Sequence, residues 1–120
     1  MYLRRATDDD WRVVLGTNAP SEWFGLVAES YMILGIGGAF VGSDGRWWAT
    51  FRRVPGVRHT LTAHKAARLT LDIARDLGIK LYAIADEDVT GSEVWLSRLG
   101  FKKTDEHFKE RAVWEWTPYQ

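Results

Sequence analysis

The stretch from residue 46 to residue 85 constrains this chain most. Arg46 to Val54 alternates, with Trp47, Ala49 and Phe51 on one side and Trp48, Thr50 and Arg52 on the other, which is the period of a half-buried strand. Pro55 and Gly56 stop it. A helical pattern follows over Thr62 to Leu77, with Ala66, Leu69, Ile73 and Leu77 expected to form the buried stripe, and Gly78 ends it. Ile79 to Ala85 is then a compact apolar run, as expected of a strand covered on both faces. A strand, a helical crossover and another strand make parallel neighbours, and such a crossover is right-handed.

The other segments attach to that unit. Tyr2 to Ala6 reads as a short strand. Thr7 offers an N-cap for a helix carrying Trp11, Val14 and Leu15 that stops at Gly16. Asp8, Asp9 and Asp10 fall in its first turn, where carboxylates suit the positive helix end; adjacent helical residues do not converge on a metal ion. Trp23 to Ala28 and Met32 to Val41 read as strands, and Gly42-Ser43-Asp44-Gly45 as a hairpin turn. A helix beginning at Thr90 or Ser92 carries Val94, Trp95 and Leu99 and ends at Gly100. Asp105 to Phe108 and Arg111 to Thr117 make a closing hairpin. The order β-α-β-β-β-α-β-α-β-β predicts an α/β (α+β layered) fold, with a mixed twisted sheet and helices on both faces. With no linker or repeat, residues 1–120 are expected to form one domain.

Composition narrows the function classes. The formal net charge of zero supplies no global field toward nucleic acid or anionic lipid, which argues against both as partners. Cysteine is absent, so disulfides, thiolate metal sites and cysteine nucleophiles are excluded. Met1-Tyr2-Leu3-Arg4-Arg5 lacks the apolar stretch of a signal peptide, and no run reaches membrane-spanning length; a cytoplasmic setting is the default expectation. Seven tryptophans in so short a chain either fill the core or line a binding surface. Trp47 and Trp48 point to opposite faces, so one is expected in the core and the other on an acceptor or partner surface.

The basic residues are grouped. From Gly45 through Leu71 there is no Asp or Glu, while Arg46, Arg52, Arg53, Arg58, Lys65 and Arg68 are all present, joined by His59 and His64. A helix start has unpaired amides and the positive end of the dipole, so residues Arg58 to Ala63 are placed to cradle a pyrophosphate. Lys65 and Arg68 share a helix face, suited to a further phosphate. The competing reading is a solvated basic face balanced by Asp86, Glu87, Asp88 and Glu93. Gly35-Ile36-Gly37-Gly38 is not a dinucleotide loop: the third glycine of such a motif falls at Phe40 and no helix follows. A bulged or sharply twisted strand accounts for it.

Two local patterns, set in that element order, resemble the GNAT N-acetyltransferases over Tyr2 to Trp116. The family opens its long helix with V-x-P-x-x-[R/Q]-x-x-G-x-[G/A]. Here Pro55, Arg58 and Ala63 match, Leu61 takes the glycine position and Arg53 the usual valine. The second pattern is a helix ending in Gly-Phe, here Trp95-Leu96-Ser97-Arg98-Leu99-Gly100-Phe101. Many members place a tyrosine five residues before that phenylalanine as general acid for the departing thiolate. Leu96 stands there, and leucine has no proton to give.

The resemblance implies acetyl-CoA as cosubstrate, no metal, and a binding site drawn from Phe51, Arg53, Val54, Arg58, His59, Thr60, Leu61, Thr62, Ala63, Lys65 and Arg98. It implies N-acetyl transfer to a primary amine on a small molecule or protein. No catalytic residue is assigned: the strand Arg46 to Val54 lacks the carboxylate that members often use, which leaves Glu22, Glu29, Asp86, Glu87 and His59 as candidate bases. Leu61 adds bulk where glycine lets the backbone approach a phosphate, unless its side chain turns back into the core. The glycine-rich third strand, the short Asp44-Gly45 turn into an aromatic strand and the eroded cradle also resemble small phage virion proteins with a degenerate acetyltransferase fold, a reading that Leu61, Leu96 and the missing strand carboxylate favour. On that reading the chain binds no cofactor and assembles with a larger phage or host protein, in a virion.

Overall fold

The computed structural model describes residues 2–54, 60–85 and 91–119, with residues 60–63 given by their backbone alone. The elements run β1 (Tyr2–Arg5), α1 (Asp8–Leu15), β2 (Trp23–Ser30), β3 (Met32–Val41), β4 (Trp47–Arg53), α2 (Thr60–Leu77), β5 (Leu81–Ile84), α3 (Ser92–Arg98), β6 (Lys102–Phe108) and β7 (Arg111–Trp116). The order is the expected one. Boundaries move by a few residues: α2 begins at Thr60, β5 shortens to its central residues, and β6 reaches back to Lys102. The seven strands form one sheet in the order β1-β2-β3-β4-β5-β7-β6. Only β4 and β5 are parallel, joined by the α2 crossover.

Local chemistry sets these limits. The Thr7 hydroxyl accepts from the Asp10 amide while the Asp10 carboxylate accepts from the Thr7 amide, a reciprocal cap on α1. Gly16 then closes α1 at φ 74°, a conformation that favours glycine. The three aspartates point to separate partners: Asp8 accepts from the Trp23 indole, Asp9 pairs with Arg12, and Asp10 with Arg4. They share no site. Arg4 takes Asp10 in a fork of 2.7 and 2.9 Å and holds its carboxyl down at about 2.

The core has two parts, one on each face of the sheet. Ile36 and Phe40 of β3 join Val27, Trp23 and Trp11 under α1. Ala39 faces the other way, toward Ala67, Leu71 and Ala74 of α2 and Leu96 and Leu99 of α3. Leu81, fully buried there, contributes about 2 kcal/mol by its removal from water. The Trp114 indole N–H is also buried, and it has no hydrogen-bond partner among the described residues.

The buried stripe of α2 differs from the expected Ala66-Leu69-Ile73-Leu77. Ala66 is buried, but Leu69 and Ile73 are half-buried and Leu77 is exposed. The residues that face the sheet are Ala66, Ala67, Thr70, Leu71 and Ala74. The reason is the surface beneath. A Cβ at Gly37 would lie 3.4 Å from the Thr70 hydroxyl oxygen and 3.3 Å from the Phe51 ring, so α2 lies close on a glycine strand and only small side chains fit between. The glycine strand is bulged as expected: pairing with β2 shifts at Ala28/Glu29, where Ala28 faces Gly35 and Glu29 faces Ile33.

Candidate functional site

The site begins where the sheet comes apart. β4 pairs with β5 only at Trp47↔Leu81 and Trp48↔Tyr82. Beyond those pairs, Ala49 to Arg53 stay on β3, while Ala83 and Ile84 stay on β7. Two parallel strands that separate toward their C-terminal ends leave a wedge. Along it, the β5-facing amides and carbonyls of residues 49–53 have no strand partner among the described residues, although an extended chain could supply one. The first turn of α2, Thr60 to Ala63, follows β4 in the chain, and α3 follows β5.

Three side chains from three elements meet beside the wedge. Phe51 of β4 packs edge-on against Trp95 of α3, with ring centroids 5.2 Å apart. The Trp95 Nε1–H donates to Nδ1 of His64 on α2 at 3.2 Å. His64, Phe51 and Trp95 are all half-buried. Nothing in the sequence marked this link, because its members are far apart in the chain and each looks like an ordinary helix or strand residue.

The basic residues divide into paired and unpaired sets. Arg4, Arg12, Arg46, Arg75, Lys80 and Lys103 are engaged with carboxylates. Among the described residues, Arg52, Arg53, Lys65, Arg68 and Arg98 make no such pair. Arg5, Lys102 and Lys109, away from the wedge, also make no ion pair among the described residues. Arg52 and Arg53 are exposed on the last two positions of β4, and Lys65 and Arg68 are exposed on α2. Among the described residues no carboxylate compensates Arg52, Arg53, Lys65 or Arg68, an arrangement that suits an anionic ligand.

The other expected site residues are placed as follows. Val54 is half-buried, and its amide donates to the Leu34 carbonyl at 2.9 Å. Arg98 lies in the last turn of α3, at the end away from the wedge, where a cation suits the negative helix end. Thr60, Leu61, Thr62 and Ala63 form the first turn of α2, and their side chains, Leu61 included, lie outside the described atoms. Arg58 and His59 lie outside the described residues, as do Asp86 and Glu87. Glu22 is exposed. Glu29 accepts from Arg4 at 2.8 Å and from the Tyr2 hydroxyl at 2.7 Å, and the Arg4 hydrogen bond is the main cause of its lowered pKa. So engaged, on β2, with β3 between it and β4, it is no base for this site. Leu96 is 3% exposed and belongs to the core between α3 and the sheet.

Trp48 does not serve as a free partner surface. Its indole donates to Asp44 at 3.1 Å, and the Arg46 guanidinium lies 5.0 Å from its ring centre and 4.5 Å from that of Tyr82. Arg46 in turn donates to both oxygens of Glu106 at 2.9 and 2.8 Å. The chain thus closes this face over itself.

Solved structures share this architecture. An N-acetyltransferase from Staphylococcus aureus Mu50 superposes with a TM-score of 0.70 at 9% identity, covering 99% of this chain and 98% of that one. A GNAT superfamily phosphinothricin acetyltransferase from Sinorhizobium meliloti, in complex with AcCoA, gives 0.66 at 14% identity, over 89% of this chain and 65% of its own. The PaiA N-acetyltransferase from Thermoplasma acidophilum, in complex with coenzyme A, gives 0.60 at 14%, over 79% and 59%. No family model and no curated protein matches the sequence. The chain therefore has the GNAT acetyltransferase fold.

Proposed function

We propose that this chain is an acyl-CoA-dependent N-acyltransferase that moves an acetyl group from acetyl-CoA to a primary amine. The observation that carries the reading is the separation of β4 from β5 after two pairs. An extended thioester arm can lie along the unpaired edge of β4, with the phosphates of the coenzyme among the α2 amides and the basic Arg52, Arg53, Lys65 and Arg68. Two of the structural neighbours hold AcCoA or coenzyme A, which supports this use of the fold. The amine nitrogen attacks the thioester carbon, the C–S bond breaks, and the thiolate leaves to take up a proton. With no assigned base, the rate comes from holding amine and thioester together. The amine acceptor is a small molecule or a protein, and a cytoplasmic setting would supply the cosubstrate.

Calorimetry with acetyl-CoA tests this. Binding is expected in the wild type and weakened at least tenfold in the Lys65→Glu, Arg68→Glu double variant. No heat and no thermal shift at millimolar acetyl-CoA would defeat the reading.

The buried Leu96 favours a second reading. With no proton donor at that position and no carboxylate on β4, the same fold could serve as a non-catalytic module that assembles with a larger protein, as in a phage virion. Acetyl transfer to any amine of a broad panel, lost in the Arg58→Glu variant, would count decisively against it.

A further inference from the structure

The Trp95–His64 contact fixes more than packing. An indole N–H can only donate, so Nδ1 of His64 is the acceptor in the 3.2 Å bond between them. In a neutral imidazole the proton then resides on Nε2. That Nε2–H makes no hydrogen bond among the described residues. His64 is half-buried one turn into α2, and Trp95, which holds it, rests on Phe51 of the wedge strand. The result is an oriented donor with no partner among the described residues, beside the place where β4 leaves β5.

We propose that His64 donates its Nε2–H to a carbonyl oxygen on the uncharged thioester arm of an acyl-CoA, with Trp95 as the positioning residue that selects the tautomer. This rests on the acyl-CoA reading above. The surroundings choose the arm over the phosphates: the rings of Phe51 and Trp95 make an apolar wall, whereas the cations Arg52, Lys65 and Arg68 are exposed. The same geometry removes His64 as a general base, since one ring nitrogen is already occupied as an acceptor and the other carries the proton.

Affinities for acetyl-CoA and for adenosine 3′-phosphate 5′-diphosphate, which keeps the phosphates but lacks the arm, separate the possibilities. His64→Leu is expected to weaken acetyl-CoA roughly fivefold to tenfold, the worth of one hydrogen bond, and to leave the armless nucleotide unchanged. His64→Gln, which presents an amide N–H near the Nε2 position, is expected to regain most of the loss. Trp95→Phe keeps an aromatic ring but releases the tautomer. Its imidazole ¹⁵N spectrum should show both neutral forms, where the wild type shows Nε2–H alone, and its acetyl-CoA affinity should fall about threefold. Equal acetyl-CoA affinity in wild type and His64→Leu overturns the role of His64, as does an equal loss of both ligands. A single Nε2–H tautomer in Trp95→Phe overturns the role of Trp95. A wild-type chain that takes up neither ligand is a different result: it removes the acyl-CoA reading itself, and this role with it.

Discussion

Thr70 of α2 stands over Gly37 of β3, where a Cβ added to the glycine would come within 3.4 Å of the threonine oxygen. Thr70 is fully buried, and its hydroxyl donates back to the Ala66 carbonyl at 2.9 Å, which satisfies the only polar atom its side chain brings into the core. This close seating fixes the middle of α2 on the sheet. It also explains why β3 is rich in glycine: the strand must approach both the helix above it and its neighbours in the sheet.

Gly38 is the most demanding of these positions. A Cβ there would meet the Phe24 carbonyl oxygen at 2.5 Å, a backbone atom that cannot turn aside. Gly38→Ala is expected to destabilise the fold by about 2–3 kcal/mol through overpacking. Thermal melting checks this, with Gly37→Ala as the comparison, because the atoms that Cβ would meet belong to side chains and can yield. Equal melting temperatures for Gly38→Ala and the wild type would show that the two strands can separate there without cost.

Much of the fold was legible because its punctuation is local. Gly16, Gly78 and Gly100 all adopt positive φ at the helix ends where the sequence placed stops, and Thr7 caps as its neighbours implied. The stripe of α2 was misplaced because periodicity gives most weight to the largest apolar residues, whereas a glycine strand selects the smallest. β6 was cut short because Lys102 and Lys103 do not look like strand residues, yet charge suits an exposed edge. The separation of β4 from β5 has no mark in either strand's own residues, because it depends on which neighbour each strand keeps. The His64–Trp95 link was not anticipated at all, since no pattern connects residues 31 apart.

The ion pair between Arg4 and Asp10 predicts an acid dependence. The Asp10 carboxyl lies at about 2 in the fold against 3.8 for an ordinary aspartate, and its first cause is the Arg4 hydrogen bond. A folded-state value below the unfolded one means that the unfolded chain binds the proton more readily. The contribution is therefore complete above about pH 4 and is lost as pH falls toward about 2. Asp10 is nearly buried, so the shift corresponds to about 2 kcal/mol. Asp10→Asn should show that deficit in urea unfolding at about pH 6, and the gap to wild type should narrow at about pH 3. A gap independent of pH would mean that the substituted amide fails for reasons of capping and packing alone.

Arg46 ties the turn before β4 to β5 and β6 by lying against the rings of both Trp48 and Tyr82 while its fork holds Glu106. Lysine has neither the flat stacking surface nor the fork. Arg46→Lys should lower the melting temperature by a few degrees, and Glu106→Gln by less, because the carboxylate is well exposed and its attraction is screened. Added salt should erase the Glu106→Gln difference and leave most of the Arg46→Lys difference. If both vanish together in salt, the rings contribute nothing.

Leu96 allows the transferase and the non-catalytic module to be separated by a substitution that looks, from sequence, like a repair. Leu96→Tyr supplies the phenol that the family resemblance implies at this position. The structure gives that phenol no room: Leu96 is 3% exposed and shares a packed cluster with Leu99 and Phe101. A tyrosine there must either bury its hydroxyl or push α3 off the sheet, and overpacking of this kind costs about 1–3 kcal/mol. Leu96→Tyr is therefore expected to melt earlier and to gain no acetyl transfer. Any turnover in the wild type then protonates its thiolate from a source other than residue 96. A variant that kept the wild-type melting temperature and raised acetyl transfer would show the opposite: α3 turns readily enough to bring residue 96 into the wedge, and its burial is no barrier to catalysis.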